Sequence, residues 1–122
     1  MAKTTDLTGV GFAPAQAQAV GYSSIAITAA GSNSATATVC DNQNSFFILT
    51  ATGTDGIRMN SAVPLLRPIV IANTSGSDGK VYPPTGGTVN GGSTDAGETI
   101  TSTTVQIWYR FSSTGWAAVL GA

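Results

Sequence analysis

Histidine is absent from this 122-residue chain. Its absence removes the commonest general base, the usual Ser and Cys triads and most transition-metal sites. Charge is also scarce. Asp, Glu, Lys and Arg make up 9% of residues, against about 25% in an ordinary soluble domain. The bases Lys3, Arg58, Arg67, Lys80 and Arg110 stand singly, and the net charge is −1. Such a chain offers no electrostatic footprint for a phosphate backbone or an anionic lipid surface, so neither nucleic acid nor membrane is an expected partner. No apolar run approaches the roughly 20 residues of a transmembrane helix. The opening Met-Ala-Lys-Thr-Thr-Asp lacks the hydrophobic centre of a secretory signal, and the reading is a chain made in a cytoplasm. A lone cysteine, Cys40, excludes an internal disulfide. Its neighbours Val39 and Asp41 supply no base to make a thiolate, so a half-buried strand cysteine is expected.

The six acids are Asp6, Asp41, Asp55, Asp78, Asp95 and Glu98. Most lie in turn contexts, where an Asp side chain bonds the backbone. Asp95 and Glu98 are close in sequence, but a calcium loop needs a denser run of oxygen ligands. No metal and no cofactor are expected. Three short matches carry no chemistry. Ser77-Asp-Gly-Lys80 lies between glycines in a turn and lacks the companion motifs of a serine–lysine enzyme. Gly9-Val-Gly11 lacks both a third glycine and a preceding strand. Asn73-Thr-Ser75 is a glycosylation sequon in a chain without a secretory signal. The reading is a protein that is not an enzyme.

What the chain does have is β-forming sequence. Apolar residues are 42% of the total, enough for one hydrophobic core and one domain. Residues 1–23 differ from the rest. Thr4 to Phe12 has no period and reads as an extended arm. Pro14 to Val20 reads as one short helix, with Pro14 at its first position and Gly21 at its C-terminal cap. From residue 24 to 122 the expected strands are Ile25–Ala29, Ala35–Cys40, Phe46–Thr52, Gly56–Asn60, Pro68–Asn73, Lys80–Pro83, Glu98–Ile100, Val105–Ser112 and Trp116–Leu120. Turn residues separate them, among them Asp41-Asn42, Asp55-Gly56, Ser75 to Gly79, Gly86-Gly87 and Asn90-Gly91-Gly92. No repeat suggests a solenoid. The expected fold is all-β, an antiparallel sandwich of jelly-roll type or a small barrel, carrying the N-terminal arm and its helix.

Two strands point to partners. In Val105–Ser112, alternation puts Val105, Ile107, Tyr109 and Phe111 on one face and Gln106, Trp108 and Arg110 on the other. The first set is expected in the core, the second on an outward contact surface. Phe46–Thr52 is apolar on both sides, with Phe46 and Ile48 opposite Phe47 and Leu49. Exposed, it would be an aggregation hazard, so its second face is expected to be covered by the arm or another subunit.

Three stretches carry a family resemblance. The opening DLTGVGFAPAQAQAVG, the centre IVIANTSGSDGKVYPPTGGTVNGGSTDAGETI and the ending STGWAAVLGA resemble small virion proteins encoded near the major capsid gene of tailed bacteriophages. The resemblance spans nearly the whole chain and rests on the order of glycine-rich motifs. It implies a head decoration or cement protein on the capsid surface, a β-rich homotrimer whose arm clasps neighbouring subunits of the major capsid protein. The alternative is a tail or head fibre module that binds carbohydrate, with Trp108, Trp116 and Tyr82 as stacking platforms. Candidate interface residues are Leu7, Val10 and Phe12, the apolar points of the arm, and Phe47, Leu49, Trp108 and Arg110 in the strands.

Overall fold

The computed structural model describes residues 24–120. The expected arm, with Leu7, Val10 and Phe12, and the expected helix at 14–20 lie outside the described residues. Ten strands occur among those described: β1 (Ser24–Thr28), β2 (Thr38–Val39), β3 (Phe46–Thr50), β4 (Gly56–Arg58), β5 (Ile69–Asn73), β6 (Gly79–Tyr82), β7 (Thr88–Val89), β8 (Glu98–Ile100), β9 (Val105–Arg110) and β10 (Gly115–Val119). The described chain is all-β.

The arrangement is solenoid-like, which corrects the expectation of an antiparallel sandwich, jelly roll or barrel. One sheet, here sheet A, runs β1-β3-β5-β9-β10-β7, and the other, sheet B, runs β2-β4-β6-β8. The chain alternates between them for three coils. Hence β1, β3 and β5 stack in parallel, as do β2, β4 and β6. Strand β8 then closes sheet B antiparallel to β6, while β9 pairs antiparallel with β5 and with β10.

The reason lies in the turns. Asp41 accepts the N–H groups of Gln43 and Asn44 at 2.9 and 2.8 Å. Asp55 takes the N–H of Thr52 at 2.8 Å. These Asx-type bonds look in sequence like hairpin turns. Here they bend the chain from one sheet to the other, so the strands they join are not neighbours. Among the described strands, the hairpin pairing survives only in β9–β10, where the Phe111 N–H reaches the Gly115 carbonyl.

Local details follow the same logic. The strand expected at Ala35–Cys40 shortens to Thr38–Val39. Asn33 winds the preceding residues into a turn, accepting the Thr36 N–H on its side chain and the Ala37 N–H on its carbonyl. Strand β7 was not expected, because glycines flank it on both sides. It forms because Val89 pairs with Trp116 and is buried beside it.

Between the sheets lies one core. Sheet A contributes Phe47, Leu49, Ile69, Ile71, Val89, Trp108 and Trp116, and sheet B contributes Ile57, Val81 and Ile100. Trp108 and Trp116 meet at a ring-centroid distance of 6.1 Å with planes inclined by 59°, a tilted geometry favoured by the ring quadrupoles. Cys40 lies in the same core, more deeply than the half-buried position expected.

Candidate interaction surface

The pleat gives every strand of sheet A one inward and one outward row. Register fixes which residues share each row. Phe46 is opposite Val70 and Ile48 opposite Ala72. Next come Val70 opposite Ile107 and Ala72 opposite Val105, then Ala117 opposite Tyr109 and Val119 opposite Ile107. These side chains form a continuous outward face across β3, β5, β9 and β10. Ser24, Ala26 and Thr28 extend it over β1.

No residue of that face is charged. Phe46 and Ile48 are each 39% exposed, Val105 47% and Val119 62%, while Val70, Ile107 and Tyr109 are half-buried by their neighbours. Phe111 continues the row beyond β9 and is 56% exposed. Beside the opposite end of β9, a hollow of about 290 Å³ is lined by Ala72, Asn73, Thr74, Thr103, Thr104 and Val105. Soluble monomers rarely leave a contiguous apolar patch of more than a few hundred Å² uncovered.

The outward face of sheet B is different in kind. Arg58 and Lys80 rise from it. Arg58 Nη1 donates to the Ser34 carbonyl at 2.9 Å, and Lys80 Nζ donates to Thr99 Oγ1 at 2.8 Å. Tyr82 lies over Gly56 and Gly97, where a Cβ would meet its ring at 2.7 and 2.6 Å, and donates its hydroxyl to the Ser32 carbonyl. Beside it is a recess of about 250 Å³ lined by Val39, Arg58, Asn60 and Thr85 among others. One sheet thus carries cations and a covering ring, and the other a bare apolar face.

The structure places the expected strand residues on the other side from the one assigned. Phe47, Leu49 and Trp108 are buried in this chain's own core, so their side chains present no outward contact surface. Gln106 is buried with Trp108, and Arg110 is half-buried, its Nε donating to the Val63 carbonyl at 2.7 Å. The row expected in the core, Val105 to Phe111, is the one that faces out. The rings considered as sugar platforms are buried as well: Trp108, Trp116 and Tyr82.

The described aspartates serve the nearby backbone. The N–H groups of Asn44 and Gln43 and the Asn44 side chain outweigh burial and hold the Asp41 carboxyl below its ordinary range. The Thr52 N–H does the same for Asp55. Asp78 accepts the Ser102 N–H and Asp95 that of Gly86. Among the described residues, no group of three or more Cys, Asp or Glu side chains is placed to hold a metal ion. Burial, reinforced by the Asp41 charge, pushes the Cys40 thiol up to about 12.

Asn73, the acceptor of the sequon, is fully buried. Its Nδ2 donates to the carbonyls of Ser77 and Ile100 at 2.9 and 3.1 Å, and its Oδ1 accepts from Ser75 Oγ at 2.6 Å. An amide held this way is a structural hub rather than a modification site.

No protein-family model matches the chain, and no curated protein or solved structure matches it either.

Proposed function

We propose that this chain is a structural component of a virion, a head decoration or cement protein that binds the lattice of the major capsid protein. The observation that carries the reading is the uncharged apolar face of sheet A, with Phe46, Ile48, Val105 and Val119 open to solvent. A face of this kind gains free energy when another protein surface covers it, at about 25 cal/mol per Å² of apolar area removed from water. The resemblance of the chain's glycine-rich motif order to small phage virion proteins points to the same role. So does the use of Asp41, Asp55, Asp78 and Asp95 as backbone acceptors in turns and loops. A cement protein needs area and complementarity. By binding the assembled lattice rather than the free subunit it stabilises the shell through mass action.

The test is cosedimentation with assembled capsid shells and, separately, with unassembled capsid subunits. The full chain is expected to sediment with shells and raise their melting temperature. Deleting residues 2–21 is expected to abolish that binding while the β-domain keeps its circular dichroism. Absence of binding by the full chain would overturn the reading.

A further inference from the structure

The face of sheet A is suited to itself. Resting on the reading that this face is built to be covered, we propose that in the chain free of the shell its occupant is a second copy of this chain, packed face to face about a two-fold axis perpendicular to β9, a pairing that the capsid lattice replaces on binding. In such an interface the same patch serves both partners. The first requirement is that the face not repel itself. Its outward rows carry no charge, so two copies meet without like-charge repulsion or unpaired ions. A charged foreign surface would have to desolvate its charges against Ile48, Val70 and Ile107 with no partner for them.

Shape is the second requirement. Strand β9 carries a rise at one end and a hollow at the other. At the first end Phe111 lies across Gly115, where a Cβ would meet its ring at 2.6 Å, and stands 56% exposed. Leu66, 67% exposed, is joined to this end by its N–H bond to the Arg110 carbonyl. At the second end is the hollow of about 290 Å³ beside Ala72 and Val105. A two-fold axis perpendicular to β9 reverses the strand, so the Phe111 end of each copy comes over the hollow of the other. An axis parallel to β9 would set rise on rise.

Size is the third. Strands β1, β3, β5, β9 and β10, spaced at about 4.8 Å with about 3.3 Å per residue, give a flat footprint of roughly 450 Å². Side-chain relief and the exposed Phe111 add to this footprint, against roughly 800 Å² per partner in a standard interface. Aligned sheets pack in this way at about 10 Å separation.

Light scattering behind a sizing column, on the full chain at micromolar concentration, tests the proposal. The expected mass is twice the 12.2 kDa of one chain. Ile48→Lys and Val119→Lys are expected to give single chains with unchanged circular dichroism, and Ser93→Lys in the β7–β8 loop to leave the pair intact. Phe111→Ala, which removes the rise, and Val105→Trp, which fills the hollow, are each expected to weaken association roughly ten-fold or more. A wild-type monomer or trimer, or lysine variants that keep the double mass, would overturn the two-fold pairing. Shell binding is read in a separate experiment, so loss of the pair with retained cosedimentation rejects this inference alone. Loss of cosedimentation with a retained pair rejects the virion role alone.

Discussion

The indole Nε1–H of Trp108 donates to Gln106 Oε1 at 3.0 Å, and Gln106 Nε2 donates in turn to the Thr99 carbonyl at 2.8 Å. The two side chains stand on the same row of β9, both buried, and the glutamine ties the tryptophan of sheet A to the backbone of β8 in sheet B. A polar residue in a core is costly unless its groups are paired. Here both functional ends of the amide are paired.

Gln106→Leu should therefore destabilise the fold by about 1–3 kcal/mol, because it leaves the Trp108 N–H and the Thr99 carbonyl without their partner. Trp108→Ala should cost more, about 3–5 kcal/mol, through the cavity it opens beside Trp116. Urea unfolding followed by circular dichroism measures both, and a Gln106→Leu variant as stable as wild type would show that the bridge contributes nothing.

Asn73→Ala should cost about 2–4 kcal/mol. It removes the donor shared by the Ser77 and Ile100 carbonyls together with the acceptor for Ser75, leaving several buried polar groups unpaired. Asn73→Asp should be no better, since a carboxylate presents no N–H to those carbonyls. The unfolding midpoints of the two variants check this.

Cys40 should be unreactive toward a thiol reagent in the folded protein and react fully once unfolded. The thiol also confers a pH dependence. Its folded value of about 12 lies above the ordinary 9.0, so between these values the native state holds a proton that the unfolded state releases. Stability is therefore unaffected below about pH 9 and falls as pH rises above it, by at most about 1.4 kcal/mol per pH unit. Cys40→Ala should flatten the alkaline limb of a plot of melting temperature against pH.

At the acid end the sign is opposite. The Asp55 carboxyl titrates below its ordinary range because the folded state offers it the Thr52 N–H. Its contribution is present above the unfolded value and disappears as pH falls through the folded one. Asp55→Asn should reduce stability modestly at neutral pH and weaken the acid dependence, as thermal melts between pH 2 and 7 (about the range over which carboxylates titrate) would report.

Gly56→Ala should be disruptive out of proportion to one methyl group. Its Cβ would meet the Tyr82 ring at 2.7 Å and the Lys80 carbonyl at 2.8 Å. The backbone of β6 cannot yield as a side-chain tip can, so a loss of about 1–3 kcal/mol is expected, measured by chemical unfolding.

Sequence by itself determined the all-β class and most strand positions. Runs of Val, Ile, Phe and Thr between Asp, Asn and Gly residues leave few other backbone choices, and the Asx bonds of Asp41 and Asp55 form where the turns were expected. It also showed that the strand at Phe46 has two apolar sides. Which side turns inward was not legible, because alternation separates Phe46 and Ile48 from Phe47 and Leu49 without a polarity difference to orient them. In β9 polarity pointed the wrong way: Gln106 and Arg110 looked solvent-facing, yet Gln106 is buried against the Thr99 carbonyl in the other sheet, and half-buried Arg110 reaches the Val63 carbonyl, far off in sequence. Parallel stacking was hidden for a related reason. An Asx turn has the same local chemistry whether it reverses a hairpin or carries the chain to a second sheet. Only the tertiary structure decided: β1 to β6 alternate between the sheets, which sets Ile57 and Val81 against Phe47, Leu49 and Ile71 in one core. That same choice left Phe46, Ile48 and Val119 facing out.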